Sequence, residues 1–438
     1  MKLFKKLCLG LATVALTTAL VGCGNSSADE SGTTADGKQK ITFAWWGSET
    51  RHNNYIKAIE LFEEENPDIE VAYEFSAWDD YWKKLATKAA AGELPDVIQM
   101  DASYLGEYGN KNLLLDLTDT VSNGIIDTAN LPDTIIDAGS IDGQAYAIGP
   151  AMNAMSVMAN DSLLEEAGVS LNWDDYSYGD FTGAIQKVKD GSGEYGFIDV
   201  IDNYVLMQYF FRTKGEEFYE YNEDGKPEIA FSKESALEFF ESIANLAETG
   251  AVSTAEVASN VKSFEENPFA LGGAGFYQVW QNQFSLINDA LADGIEISLH
   301  LPYGATNSKA LYYRPSFYYS AANTTKNSEA AAKLIDFLVN DEEVAKVMGT
   351  ERGIPANTAN LDVIYDELTD TEKVAADYLN EIADYVGEPS AVPPIGFATI
   401  SQAAKDVYAE LTYGTMTPEE AYDFLVEKME ASFAENYE

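Results

Sequence analysis

Residues 41–100, ITFAWWGSETRHNNYIKAIELFEEENPDIEVAYEFSAWDDYWKKLATKAAAGELPDVIQM, decide the fold. The apolar run 41–45 predicts a strand. Tyr55, Ala58, Ile59 and Phe62 then recur at helical spacing, glutamates crowd the end of that segment, and Asn66 with Pro67 stops it. Ile69, Val71, Tyr73 and Phe75 alternate with polar or small residues, the period-2 pattern of a second strand. A second helix is predicted over 79–91, with Trp82, Leu85, Ala86 and Ala89 inward and Gly92 past its end. Val97–Met100 closes the stretch as a short buried strand. This alternation is the grammar of a parallel α/β sheet, which binds ligands at the carboxyl ends of its strands. Trp46, residues 76–78 and Asp101 stand at those ends.

Further on, Asp142-Gly143 and Asp224-Gly225 predict hairpin turns. Leu237, Phe240, Ala244 and Ala247 share one helical face, and Ala331, Leu334, Ile335 and Leu338 another. Thr417, Pro418 and Glu420 predict a capping box that starts a last helix through Phe424, Leu425 and Met429. The chain from residue 41 to 438 is too long for one core, so two α/β lobes are expected. The apolar, extended segments 151–159 and 311–322 are the expected crossings. They give discontinuous lobes, 41–152 plus 315–355 and 153–314 plus 356–438, with a cleft between them.

Upstream, Lys2, Lys5 and Lys6 precede an apolar run over 7–20 that is too short for a membrane span. The ending Leu20-Val21-Gly22-Cys23 resembles the lipobox of bacterial lipoproteins; the other reading is an ordinary secretory signal. The resemblance implies removal of residues 1–22, acylation of Cys23, and a protein anchored on the outer face of the cell membrane. Residues 23–40 hold no large apolar side chain and predict a disordered tether.

The chain carries 73 Asp plus Glu against 27 Lys plus Arg, a net charge of −46. Such a surface repels phosphate polymers and anionic lipid alike, so nucleic acid is not an expected partner and lipid on Cys23 must supply any membrane contact. Cys8 and Cys23 are the only cysteines, one in the signal and one acylated, so no structural disulfide is expected. With His52 and His300 the only histidines, histidine-rich and cysteine-type metal sites are excluded. No cofactor is expected. His52 reads as an exposed or ligand-side residue, His300 as a structural one at a strand end.

Four stretches together resemble the extracellular solute-binding proteins of carbohydrate ABC importers. They are residues 41–69, the segment from Pro95-Asp96-Val97 to Tyr104, Asn160-Asp161-Ser162-Leu163-Leu164, and Glu351-Arg352-Gly353-Ile354-Pro355-Ala356-Asn357. Ala159 departs from the tyrosine usual just before the third. The resemblance implies a two-lobed, periplasmic-binding-protein-like fold of type II, joined by hinge crossings. It also implies a monomer that closes on a carbohydrate ligand and presents it to the ABC transporter permease.

Sugar rings have apolar C–H faces and hydroxyl edges, so binding calls for aromatic platforms beside fixed polar groups. Trp46 is a platform or a core residue, for Trp45 and Trp46 must point to opposite sheet faces. Ser48, Glu49 and Arg51 stand where the first helix offers free amides. Trp78 and Asp79 read as platform and acceptor, Trp82 as core. Asp101 contacts ligand or caps the next helix. Trp280 follows the glycine-rich 271–276, whereas Trp173 and Tyr204 are less well placed. Arg314 and Arg352 offer guanidinium forks suited to paired hydroxyls or a uronate, and Arg352 reads equally as structural. A glycoside hydrolase is the rival enzyme reading, requiring two facing carboxylates; a receptor for a non-sugar solute is the other.

Overall fold

The computed structural model describes residues 32–34, 36–199, 203–261 and 263–437. The signal 1–22 and Cys23 lie outside the described residues. Gly32 and Lys40, within the stretch read from composition as tether, are instead held to the fold. Lys40 N–H donates to the Gly32 carbonyl (2.9 Å), and the Asn327 side-chain amide donates to the carbonyls of Gly32 and Lys40.

The first sheet begins with β1 (Gln39–Trp46), α1 (Glu49–Glu65), β2 (Ile69–Ser76), α2 (Trp78–Ala91) and β3 (Val97–Met100). β1 pairs in parallel with β2 on one side and β3 on the other. Trp45 and Trp46 leave β1 to opposite faces, as strand pleating requires. Trp45 lies under α1, its Nε1–H donating to His52 Nδ1, while Trp46 packs on Tyr81 and Trp82 of α2. Tyr55, Ala58, Ile59 and Phe62 are all buried, as their spacing predicts. On α2 the buried set is Tyr81, Trp82 and Leu85; Ala86 is exposed because the larger Tyr81 takes the inward position. Tyr73 and Phe75 keep the predicted alternation but stay more than two-fifths exposed, since β2 is an edge strand.

α3 (Ala102–Asn110) follows β3. The chain then reaches β4 (Ala151–Asn153) after a hairpin at Asp142-Gly143, where both residues take positive φ, the conformation of a two-residue primed turn. A second sheet holds β5 (Met155–Asn160), β6 (Tyr195–Ile198), β7 (Ala274–Trp280) and β8 (Ile297–His300) in the order β8-β5-β7-β6. β7 is parallel to β6 and antiparallel to β5. Against it lie α4 (Tyr178–Ser192), whose Phe181 packs on Phe197 and Phe276, and α5 (Asn203–Thr213). On α6 (Lys233–Glu248) the buried stripe is Ala236, Phe239, Phe240, Ile243 and Leu246. It is turned by about one residue from the predicted face because the Phe239–Phe240 pair brings two large rings inward.

β9 (Arg314–Pro315) and β11 (Ile354–Pro355) flank β4 in a three-stranded antiparallel sheet, and β10 (Tyr318–Ala321) returns to pair with β3 in the first sheet. The chain thus passes through one small sheet each time it moves between the two large ones. α7 (Ser328–Asn340) buries Ala331, Leu334, Ile335 and Leu338, as predicted. α8 (Phe397–Tyr413) and α9 (Pro418–Tyr437) end the chain, and the Thr417–Glu420 capping box forms: each residue's amide donates to the other's side-chain oxygen.

His300 ends β8 with its ring face to face on Trp173 (3.6 Å between centroids, 2° between planes) and its Nε2 2.6 Å from Ser298 Oγ. Burial pushes its pKa down to about 4 from the ordinary 6.5. The imidazole is therefore neutral in the fold, and its contribution is complete above pH 6.5. As pH falls from 6.5 to 4 the unfolded chain takes up a proton that the folded chain refuses, and stability is lost. We expect wild type to lose about 1–3 kcal/mol relative to His300→Gln between pH 7 and pH 4 in urea titrations. A gap that does not change with pH would show that His300 titrates normally.

Candidate functional site

Three short pieces of backbone set the geometry. Arg314 pairs with Asn153 and Pro315 with Met152 in the small sheet. The Asn153 amide donates to Ser316 Oγ at 2.8 Å, and the buried Gln281 accepts from the Ala154 N–H at 2.7 Å. Gln281 directly follows Trp280, so the same clamp that joins β7 to the small sheet places the Trp280 ring beside Arg314. The Arg314 Cζ lies 4.9 Å from that ring centroid, a cation–π distance.

Arg314 opens on a narrow cavity of about 50 Å³. Its walls come from distant parts of the chain: Ala102 and Leu105 of α3, Tyr318 of β10, Tyr204 and Gln208 of α5, and Tyr219 and Tyr312. Burial works against the Arg314 charge, but the oxygens of Tyr204, Tyr312, Asp101 and Tyr318 outweigh it and raise its pKa above the ordinary guanidinium value. The group is a permanent cation. Among the described residues no carboxylate forms an ion pair with it, and the cavity lining contains none. A wider cavity of about 410 Å³ continues the groove, lined by Gly106, Asn110 and Asp142 on one wall and Tyr221, Ile395 and Tyr437 on the other.

The two cavities share Ala391 and Val392. These belong to a strap, residues 386–396, that runs along the groove floor. Arg212 of α5 anchors it. Its Nε donates to the Ala310 carbonyl (2.9 Å), Nη2 to the Glu388 carbonyl (2.6 Å), and Nη1 reaches Glu217 and Ser390 Oγ. The hydroxyls of Tyr219 and Tyr221 donate to the carbonyls of Ala391 and Val392. On the other wall, a Cβ at Gly106 would stand 2.5 Å from the Pro393 carbonyl oxygen, so only glycine lets the strap lie this close to α3.

Of the residues singled out in the sequence, Asp101, Trp280 and Arg314 come together around the narrow cavity. Asp101 caps α3, accepting from the Ser103 N–H at 2.9 Å, while its charge acts on Arg314 from beyond ion-pair distance. The others gather at the carboxyl ends of β1 and β2. Trp46 is 7% exposed and meets Trp78 edge to face at 4.9 Å; Trp78 stands 41% exposed. Ser48 caps α1, with Glu49 exposed in its first turn, and Asp79 is exposed in the first turn of α2. Arg51 forms a forked pair with Glu351. Arg352 lies half-buried over the Phe317 ring (3.9 Å) and beside Trp46 (5.3 Å), and its Nε–H lacks a partner. His52 lies flat on Phe75 at 3.8 Å rather than at the groove. Sequence reading missed Gln208, Tyr219, Tyr312, Tyr318 and the strap. The signals were there in the tyrosines beside Arg314 and in Pro389, Pro393 and Pro394, which cannot continue a helix.

A family model described as bacterial extracellular solute-binding protein matches residues 57–378. A putative binding protein of Brucella abortus is 25% identical over 391 residues, 87% of each chain. The galactooligosaccharide-binding protein of Bacillus subtilis is 22% identical over 364 residues, 81% of this chain and 82% of its own. The solved structure of a periplasmic oligogalacturonide-binding protein from Yersinia enterocolitica superposes with a TM-score of 0.77 at 22% identity, over 91% of this chain and 99% of its own. The fold is that of these periplasmic solute-binding proteins. Among the described residues no helix is long and apolar enough to cross a membrane.

Arg212 satisfies several strap and loop oxygens at once, so Arg212→Met strands them in a buried site. We expect a loss of about 3 kcal/mol in urea unfolding, with new protease cleavage inside residues 386–396. A loss under about 1 kcal/mol would mean that the tyrosine hydroxyls hold the strap without it.

Proposed function

The chain belongs to the bacterial extracellular solute-binding protein family, and on that premise we propose that it captures a sugar, an oligosaccharide, between two lobes for an ABC importer. The lobes are residues 41–152 with 315–355 and 153–314 with 356–438, turning on the small sheet of β4, β9 and β11. The observation that carries the reading is the groove at that hinge. Trp280 and five tyrosines line or border it with one guanidinium, the mixture of flat apolar faces and polar edges that sugar rings require. Relatives named for a galactooligosaccharide and an oligogalacturonide support a sugar and leave its charge open. The wider cavity beyond the strap favours a chain of several units.

Binding is noncovalent and no bond is broken. Glycoside hydrolysis needs two carboxylates facing the scissile bond, and the narrow cavity is lined by tyrosines, Gln208 and Arg314. About 50 Å³ holds one or two waters, so a sugar ring enters only when the lobes part or the strap moves. Contacts to both walls then favour the closed form, and that difference in affinity is what the permease reads. The protein works as a monomer on the outer face of the membrane, held by acyl chains on Cys23, with no part for nucleic acid at a net charge of −46.

Titration with a glycan panel should give saturable quenching or shift of tryptophan emission, with no turnover of any glycan. Trp280→Ala should weaken the best ligand by about 1–3 kcal/mol, measured by calorimetry. Silence across the whole panel would sink the sugar reading. Cys23→Ser should release the protein from the membrane fraction into the medium and abolish palmitate labelling; unchanged membrane partition would rule out the lipid anchor.

A further inference from the structure

Resting on the sugar reading above, we infer that the ligand carries a carboxylate, as a uronic acid unit, and that the Arg314 guanidinium receives it. The chain has four arginines among its 27 basic residues and 73 acidic ones. Arg51 is paired with Glu351 and Arg212 with Glu217. Arg352 is closed in between Phe317 and Trp46. Arg314 alone faces the groove, and in this acid-rich chain no carboxylate among the described residues pairs with it.

An unpaired guanidinium in a half-buried cleft keeps only part of its hydration, and that loss is offset when an anion arrives. The Trp280 ring, 4.9 Å from the guanidinium carbon, steadies the cation without neutralising it, and a planar carboxylate is the bidentate partner that the fork suits. The backbone pairing of Arg314 with Asn153 holds the group in place before ligand comes. Asp101, an acid whose charge Arg314 feels, is engaged at the α3 terminus. The protein's overall acidity opposes an anion at long range, yet that field is screened beyond roughly 8 Å at physiological salt, so the contact pair decides. Among sugars, a uronate supplies the matching planar carboxylate next to an apolar ring face.

The test is calorimetry on the full chain with digalacturonate, dimannuronate and a glucuronate-bearing xylooligosaccharide. Each is set beside its carboxyl-reduced neutral counterpart and beside maltotriose and galactobiose. We expect one uronate to bind and its reduced form to bind at least about 30-fold more weakly. Arg314→Gln should lower uronate affinity by a similar factor and leave the reduced sugar nearly unaffected; Arg314→Lys should fall between. The ligand-side comparison on wild type stands even if a variant folds poorly. Neutral sugars binding as tightly as uronates would overturn the inference and leave sugar capture intact. A uronate preference unmoved by Arg314→Gln would overturn the assignment to Arg314. No binding by either set would overturn both readings together.

Discussion

Two residue pairs in the smallest sheet, Arg314 with Asn153 and Pro315 with Met152, set what the groove can do. Side chains along a strand alternate between faces, so a slip of one residue would turn Arg314 away from Trp280. Pro315 donates no backbone N–H, which helps keep the pairing short. The side chains of Asn153, Ser316 and Gln281 then lock the register from three directions. Because Gln281 adjoins Trp280, the small sheet and the groove wall are one hydrogen-bonded assembly rather than neighbours by chance.

The second constraint is charge. A chain of −46 can keep itself soluble without help, but it must decide where its few strong cations go. Arg51 and Arg212 tie distant segments together: Arg51 links α1 to the turn before β11, and Arg212 links α5 to the strap. Arg352 is a cation stored among rings, where Phe317 and Trp46 replace part of its lost hydration. Arg314 is the one that faces the groove beside the small sheet. A guanidinium stays charged at ordinary pH, and the neutral tyrosines around Arg314 leave that charge unpaired.

The strap makes the groove narrow. It is fastened to the α5 side by Arg212, Tyr219 and Tyr221 and rests on Gly106 across the gap. Contact with α3 is by backbone proximity, not by ion pairs, so it can part with little loss when the walls separate. The α5 side is held by several hydrogen bonds and should move as one piece. In the closure proposed above, that asymmetry lets the groove open without unfolding a loop.

Much of the fold was legible in the sequence because it is written locally. The buried face of α1, the first three strands, the turn at Asp142-Gly143, the capping box of α9 and the buried face of α7 each depend on residues a few positions apart. Where local signals misled, a larger side chain nearby had taken the inward place: Tyr81 over Ala86, and Phe239 with Phe240 over Leu237. Of the site, the sequence by itself offered Asp101, Trp280 and Arg314 as residue types suited to a sugar. Tertiary structure alone decided that these three meet, that Trp46 is covered while Trp78 is open, that Arg51 is paired and Arg314 is not, and that a proline-rich strap fills the groove. The reason is physical. Periodicity, capping and turn geometry are set by bonds within one element, whereas burial and pairing depend on which group arrives from elsewhere, and Glu351 reaches Arg51 from 300 residues away.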